Sequence, residues 1–438
     1  MRIKFLFASL LFATTAAAQS PAPPALPNDA PPVSRPTPRG EAQDWAAESL
    51  GQQLGMDRAA AKAFAARSRQ LTQVLAAIEE SNPAFAGAYL DHEGGTVLTV
   101  RYVGSPESLR SRMNIPPELS SSVRFVAAAV PLAALQGQQQ RFLRSAQQIR
   151  LKVGTYIDTR NNRIVVTTED LDRFRKERAR GQLQVPENAE IRRQTLPDEV
   201  AATQPSGQYP VQSGNFIEGG RTIYQWNLAN GTLTARPECT IGFVAKWNST
   251  LGILTAGHCV PGNYGTGYFY STGSSWVELW GLEYESDNVT TNYDYQFHRT
   301  PGFTHYATIM VKRESGAIDY LYVKGAQPRW YQTNGTPICK QGLATGFKCF
   351  SIKDNNFYYT NNAGYRTGPW VFVQAAVEIA RGGDSGGPVT DLPSGSDVNA
   401  RGLIHRAGPD AFSPNYVMYY MAIDQIDDVH PIQVWLGN

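Results

Sequence analysis

What is scarce in this chain narrows the options first. Only 18% of its 438 residues are charged, and 40 Lys and Arg nearly balance 38 Asp and Glu, for a formal net charge of +2. A dedicated nucleic-acid or membrane-surface binder needs a strong basic excess, so neither class fits. No apolar run reaches the roughly 20 residues that a membrane span requires. Cysteine is sparse, at Cys239, Cys259, Cys339 and Cys349. Neither the first two nor the last two have the close spacing of a zinc site, so no metal and no cofactor is expected.

What is present points to a large β-rich globule. Hydrophobic residues make up 42%, and Gly (39), Pro (28) and Tyr (21) are plentiful, a balance that favours short strands and turns over long helices. The length suits two or three units. Met1-Arg2-Ile3-Lys4, the apolar stretch Phe5 to Phe12 and Ala16-Ala17-Ala18 read as a signal peptide over 1–18, which implies export to an oxidising compartment. A Pro-rich spacer over 19–40 cannot build a core.

Residues 41–200 carry a different periodicity. Trp45, Leu50, Leu54, Ala60, Phe64, Leu71 and Leu75 recur at helical spacing, and Leu132 to Ile149 forms a second helical run. Each run precedes an alternating hairpin, and Gly87-Ala88-Tyr89-Leu90-Asp91 parallels Gly154-Thr155-Tyr156-Ile157-Asp158. The reading is two related α+β lobes, 41–105 and 106–180, followed by an exposed connector. From about Val211 the helical period is gone. Short apolar-aromatic runs alternate with Gly, Asn and Ser turns, as in an all-β sandwich or pair of barrels spanning 201–438.

The chemistry concentrates in Gly383-Asp384-Ser385-Gly386-Gly387-Pro388. The pattern G-x-S-x-G also opens a nucleophile elbow, with Asp410, Asp424 or Asp427 and His405 or His430 as downstream partners. That fold needs a helix after the serine, and "PVTDLPSGSDVNARG" with its prolines and glycines opposes one. The other reading takes its partners upstream. His258 ends the apolar run "LTAGHCV", and Asp294 opens the alternating run "DYQFHRT". A serine hydroxyl becomes nucleophilic when a neutral imidazole accepts its proton and a carboxylate orients that imidazole.

In that order, His258, Asp294 and Ser385, with "TAGHC" and "GDSGGP" around them, the chain resembles bacterial chymotrypsin-fold serine endopeptidases of the alpha-lytic protease and streptogrisin kind. The resemblance covers all but the signal and spacer. It implies an all-β mature domain of two packed antiparallel six-stranded barrels behind an α+β two-lobed pro-region. It also implies that the N–H groups of Gly383 and Ser385 converge on the oxyanion. Disulfides Cys239–Cys259 and Cys339–Cys349 follow from the same family pattern. Asp384 calls for a buried cation, and the position that supplies it in the family is Lys340, which is otherwise an exposed lysine. The pro-region is then an intramolecular chaperone and inhibitor, and the expected product is a secreted monomer acting on proteins or peptides.

Specificity resides in the strand after the serine. "RGLIHRAGPDAF" places His405, Arg406 and Gly408 there, similar to the "GIHWGG" strand of glutamyl endopeptidases, whose histidine meets an acidic P1 side chain. Ala380 departs from that family, which has Ser or Thr five residues before the nucleophile. The acidic reading favours self-cleavage after Glu199; the alternatives are apolar P1, with Tyr209 as a cut site, or cell-wall lysis. Beyond Val211 there are three more acids than bases, so attraction to anionic walls is not evident. A non-catalytic binding protein on the same fold is the reading from another class.

Overall fold

The computed structural model describes residues 37–75, 82–93, 95–197, 216–229, 232–259, 266–271, 276–279, 283–289, 292–300 and 303–437. The signal, nearly all of the spacer, and the cleavage candidates Glu199 and Tyr209 lie outside them. No helix of the described residues is long and apolar enough to cross a membrane.

The leader begins with two helices, Ala42–Leu54 and Arg58–Leu75. The first ends at Gly55, whose φ of 68° is the left-handed conformation that glycine adopts without a Cβ clash. A three-stranded sheet follows, in which Val97–Tyr102 pairs with Phe85–Asp91 on one side and, in parallel, with Val123–Ala127 on the other. This third strand carries the first lobe past the boundary placed at 105. The alternation seen around the hairpin shows only two of its strands, because the third arrives after a short helix and a 3-10 turn. The second lobe sets the helix Leu132–Gln148 against the strands Gly154–Asp158, Arg163–Thr168 and Glu190–Arg193.

From residue 216 on, the described chain is mostly strand. Six strands close a ring through pairings that are all antiparallel. Pro337–Gly342 pairs Gly346–Thr360, then Arg366–Ala375, Tyr416–Ala422, Asp397–Pro409 and Pro388–Asp391, which returns to the first. Closure removes the free edges that a sheet of this size otherwise exposes. The other half is drawn as an open five-stranded sheet, with Thr250–Thr255 and Asp294–Arg299 paired inside it, and a four-stranded sheet. A second closed six-stranded ring is not seen among the described residues. Beyond the ring, the same sheet continues through the parallel pairing of Asp397–Pro409 with Ile318–Ala326, and on through Thr304–Lys312 to Phe216–Gly219.

Leader and β region share both sheet and core. Gly154–Asp158 adds edge-on to the long strand Gly346–Thr360 through Tyr358↔Thr155 and Tyr359↔Gly154. A Cβ on Gly154 would come within 2.7 Å of the Phe357 ring, so a bare backbone is what admits this strand. The first helix lies against the β region, its Trp45 and Leu50 in one buried cluster with Phe347, Cys349 and Leu321. Its amino end is capped from 277 residues away. Asp319, fully buried, accepts hydrogen bonds from the N–H groups of Arg39 (2.6 Å), Ala42 (2.9 Å) and its neighbour Tyr320 (2.8 Å). Glu41, at the cap position itself, makes no such bond.

Two outcomes follow. Asp319→Ala should weaken the docking of the first helix by about 0.5–2 kcal/mol, the usual worth of a cap. Limited proteolysis of the full chain should then nick residues 39–60 sooner, and unchanged nicking would contradict the capping role. The second concerns Asp354, buried on the long strand, which accepts from the N–H of Asn356 at 2.8 Å. Burial raises its pKa to about 7 against that hydrogen bond and Arg329, with Asp158 of the leader adding to the rise. A folded pKa above the unfolded carboxylate value of about 3.9 means that the folded state holds the extra proton, so stability falls as pH rises from about 4 to 7. Urea midpoints of the full chain should drop across that window, and Asp354→Asn should flatten the slope; parallel slopes would refute the assignment.

Candidate active site

His258 sits in the 3-10 turn Gly257–Cys259 that ends the buried strand Thr250–Thr255. The turn is tied down by the disulfide Cys239–Cys259, and the Gln296 side-chain amide donates to the carbonyl of Gly257. Asp294 opens the neighbouring strand, paired antiparallel to the first at Thr255↔Gln296. Adjacent strands therefore bring residues 36 positions apart to one end of the sheet. Asp294 Oδ1 accepts the backbone N–H of His258 at 2.9 Å, and Oδ2 lies 2.8 Å from His258 Nδ1. The carboxylate is 3% exposed. Burial alone would raise its pKa, but the imidazoles of His258 and His405 overcome that and hold it well below the usual carboxylate range.

The serine loop is seated on the same sheet by backbone contacts. Thr240 N–H donates to the carbonyl of Ser385 at 2.9 Å, and the Thr240 hydroxyl donates to the carbonyl of Gly383 at 2.9 Å. Thr255, three residues before His258, donates its hydroxyl to the carbonyl of Thr240 at 2.9 Å. Gly386 packs so closely here that a Cβ would lie 2.6 Å from the nitrogen of Ala256, and its φ of 77° excludes most other residues. A hydrogen bond from Ser385 Oγ to His258 is not among the contacts of the described residues. Catalytic hydrogen bonds of this kind are often long without substrate and tighten when it binds.

The amides of the loop are unequally used. Asp384 N–H donates to Arg381, Gly386 N–H to Ile404 and Gly387 N–H to Asp384, at 2.8 to 3.0 Å. Neither Gly383 nor Ser385 donates its N–H to a protein acceptor among the described residues. Gly383 adopts φ 98°. The loop is held from beneath by Asp384, which is fully buried. Its Oδ1 accepts the N–H groups of Ala344 (2.7 Å) and Thr345 (3.1 Å), and its Oδ2 accepts Arg381 N–H (3.1 Å) and faces Lys340 Nζ at 3.2 Å. Lys340 is buried as well, and donates to the Thr345 hydroxyl and to the carbonyl of Gly346 at 2.9 Å. Burial lowers its pKa against the pull of Asp384. The disulfide Cys339–Cys349 ties the two strands on either side of this turn.

His405 lies against the carboxylate of Asp294. Its Nδ1 lies 2.5 Å from Asp294 Oδ2, its ring stacks on Trp370 at 4.0 Å between centroids, and it is 8% exposed. The reason is strand periodicity. In "GIHWGG" the histidine follows glycine by two residues, whereas in Gly402-Leu403-Ile404-His405 it follows by three. That offset and the register shift between Ile404 and Arg406 set the imidazole against Asp294 and Trp370. Ile404 takes the other face, in a buried cluster with Ile379, Ala380 and Ala407. Arg406 is half-buried beside a register shift, and Gly408 pairs with Val417. Counting residues from Gly402 was the available signal.

Most partners of the elbow reading are engaged elsewhere, and Asp427 is exposed. Asp410 accepts the N–H of Thr195, Asp424 that of Arg329, and His430 meets the Tyr295 hydroxyl. Pro388–Asp391 after the serine is a strand, not a helix. One further neighbour was not anticipated. The segment Gln194–Leu196 is buried against the end of the strand Asp397–Pro409: Thr195 N–H reaches Asp410 Oδ1 at 2.9 Å, and Ala411 N–H reaches the Thr195 hydroxyl at 2.8 Å.

Lys340→Met should leave Asp384 as an unpaired buried charge, a loss of about 3–5 kcal/mol. Urea unfolding of the full chain measures it; a shift below 1 kcal/mol would remove the lysine from the support of the loop.

No protein-family model matches the chain, and no curated protein does. Among solved structures, Thermobifida fusca protease A is similar at 22% identity and a TM-score of 0.35, covering 50% of this chain and 99% of that one. A glutamic acid-specific serine protease, described as using a histidine triad in substrate binding, is similar at 21% identity and a TM-score of 0.35, over 50% of this chain and 100% of its own. An alpha-lytic protease homologue, N4, is similar at 19% identity and a TM-score of 0.35, covering 50% of this chain and 98% of that one.

Proposed function

We propose that residues 201–438 are a serine endopeptidase, exported as a precursor whose leader serves as folding partner and inhibitor. The observation that carries the reading is the Asp294–His258 hydrogen bond set beside a serine loop whose Gly383 and Ser385 amides are unspent. In the reaction Ser385 Oγ bonds to the scissile carbonyl carbon as its proton passes to His258. The carbonyl electrons move onto oxygen, between the two free amides, where each donor is worth about 2.7–4 kcal/mol in related sites. Collapse expels the amine, which takes the proton from His258, and water repeats the sequence on the acyl-enzyme.

The leader reading is supported by the continuous sheet across Tyr358↔Thr155 and by the segment Gln194–Leu196 lying against the pocket strand. For specificity, we favour apolar P1 side chains. The face of the strand opposite His405 carries Ile404, in a buried apolar cluster with Ile379, Ala380 and Ala407. Cell-wall peptide as substrate has no feature in its favour beyond the family resemblance.

A fluorophosphonate probe should label the secreted product, and Ser385→Ala should abolish labelling and hydrolysis and leave the precursor uncut. Absence of labelling in the parent chain would favour a non-catalytic binding protein; normal processing of the alanine variant in a protease-free host would refute self-cleavage. A P1 peptide panel should give kcat/KM at least tenfold higher for apolar P1 than for Glu, and the reverse order would restore the acidic reading.

A further inference from the structure

Asp294 has more partners than a catalytic pair requires. Its Oδ2 is shared between two imidazoles, His258 at 2.8 Å and His405 at 2.5 Å, whose rings meet edge-on at 5.9 Å between centroids. His405 belongs to the strand Asp397–Pro409, 111 residues from Asp294, so the contact joins the closed barrel to the five-stranded sheet. One face of its ring is covered by a stacked indole. Trp370 stacks on it with an interplanar angle of 6°, and that indole is itself fixed by donating to the Thr367 hydroxyl at 3.2 Å.

We propose that His405 is a positioning residue of the active site: it donates Nδ1–H to Asp294 Oδ2, fixing the rotamer and the charge of the carboxylate that orients His258. The inference rests on the peptidase reading. A carboxylate that carries only the His258 contacts can swing about its Cβ–Cγ bond; a second donor on the same oxygen, supplied by a stacked ring, removes that freedom. The second donor also withdraws part of the charge that Asp294 offers to the His258 imidazolium. The charged or titratable groups facing His405 are Asp294, His258, Tyr359, whose hydroxyl lies 3.5 Å from Nε2, and Arg406 on its own strand. Burial lowers the pKa of His405 against the pull of Asp294, and the contact with the carboxylate assigns Nδ1 as the donating nitrogen.

The test compares three variants made in the full chain. Asn places an amide donor where Nδ1 lies, Gln places one where Nε2 lies, and Phe keeps the stacking surface and removes the donor. With rates normalised to the fluorophosphonate-labelled fraction, His405→Phe and His405→Gln should lower kcat by about 10–100-fold with KM changed less than threefold. In both, the acid limb of kcat/KM should move to higher pH, because Asp294 then holds a protonated His258 more strongly. His405→Asn should recover most of the rate and return the limb towards its original place. A merely structural role would lower the labelled fraction and leave the limb where it was, and that result overturns the proposal. Equal behaviour of the Asn and Gln variants overturns it too. If the variants do not mature, the inactive Ser385→Ala precursor gives an independent reading. Its proton spectrum should contain two low-field imidazole N–H signals, and the Ser385→Ala/His405→Asn double variant should contain one; a single signal in the precursor refutes the shared carboxylate. Failure of the parent chain to label at all would instead sink the peptidase reading, with the two N–H signals left standing.

Discussion

A carboxylate that is 3% exposed stays ionised only if donors replace the water it has lost, and at Asp294 three do: the backbone N–H of His258 and the two imidazoles. The rest of the site depends on that convergence. Two of the donors come from the turn that the Cys239–Cys259 disulfide holds, and the third from the strand Asp397–Pro409 of the closed ring. The carboxylate is therefore a junction between the two β regions. Removing either region would leave a buried charge with fewer partners, so the geometry and the ionisation of Asp294 stand or fall together. This is why the site needs both halves of the fold in place before it can work.

The serine loop follows the same logic with the opposite polarity at its base. Asp384 is fully buried beneath the loop, and Lys340, also buried, neutralises it from the strand Pro337–Gly342. Four further donors surround that carboxylate: the amides of Ala344, Thr345 and Arg381 and the Thr345 hydroxyl. Gly342 has to be glycine because a Cβ there would occupy the space of the Asp384 carboxylate. The cation arrives within the same sheet as the loop, so no newly cut chain end is needed to order it. Under the proposed reading, control would then act from outside the loop, where the segment Gln194–Leu196 lies against Asp410 and Ala411.

How much of this was legible in the sequence depended on range. The serine loop, the turn around His258 and the strand opening at Asp294 are local patterns, and each sits at the end of an element whose period is visible over six or seven residues. The cysteines carry their pairing in a family pattern, and the bridges Cys239–Cys259 and Cys339–Cys349 are both present. The first lobe was harder: its third strand, Val123–Ala127, pairs in parallel with a strand about 25 residues earlier, and nothing local announces that. The contact of His405 with Asp294 is illegible for a sharper reason: a shift of one position exchanges the two sides of a strand, and the register shift beside it has no local signature. Neither the Asp319 cap nor the Thr195–Asp410 contact has any local signature, at separations of 277 and 215 residues.

Those long-range contacts share a direction: each ties the leader to a polar group that the β region leaves buried or half-buried. Asp319 accepts from the start of the first helix, Asp410 from Thr195, and the long strand Gly346–Thr360 offers its edge to Gly154–Asp158. A β region folding alone must bring together strands as distant as Tyr322 and Asp397, and such non-local pairings form slowly because loop closure precedes any reward. The strand to which Gly154–Asp158 adds is itself one of the ring, the ring that also carries His405. Under the proposed reading, a leader that supplied this edge would lower the cost of assembling the barrel whose strand end it covers at Asp410, so that folding help and inhibition would share one interface.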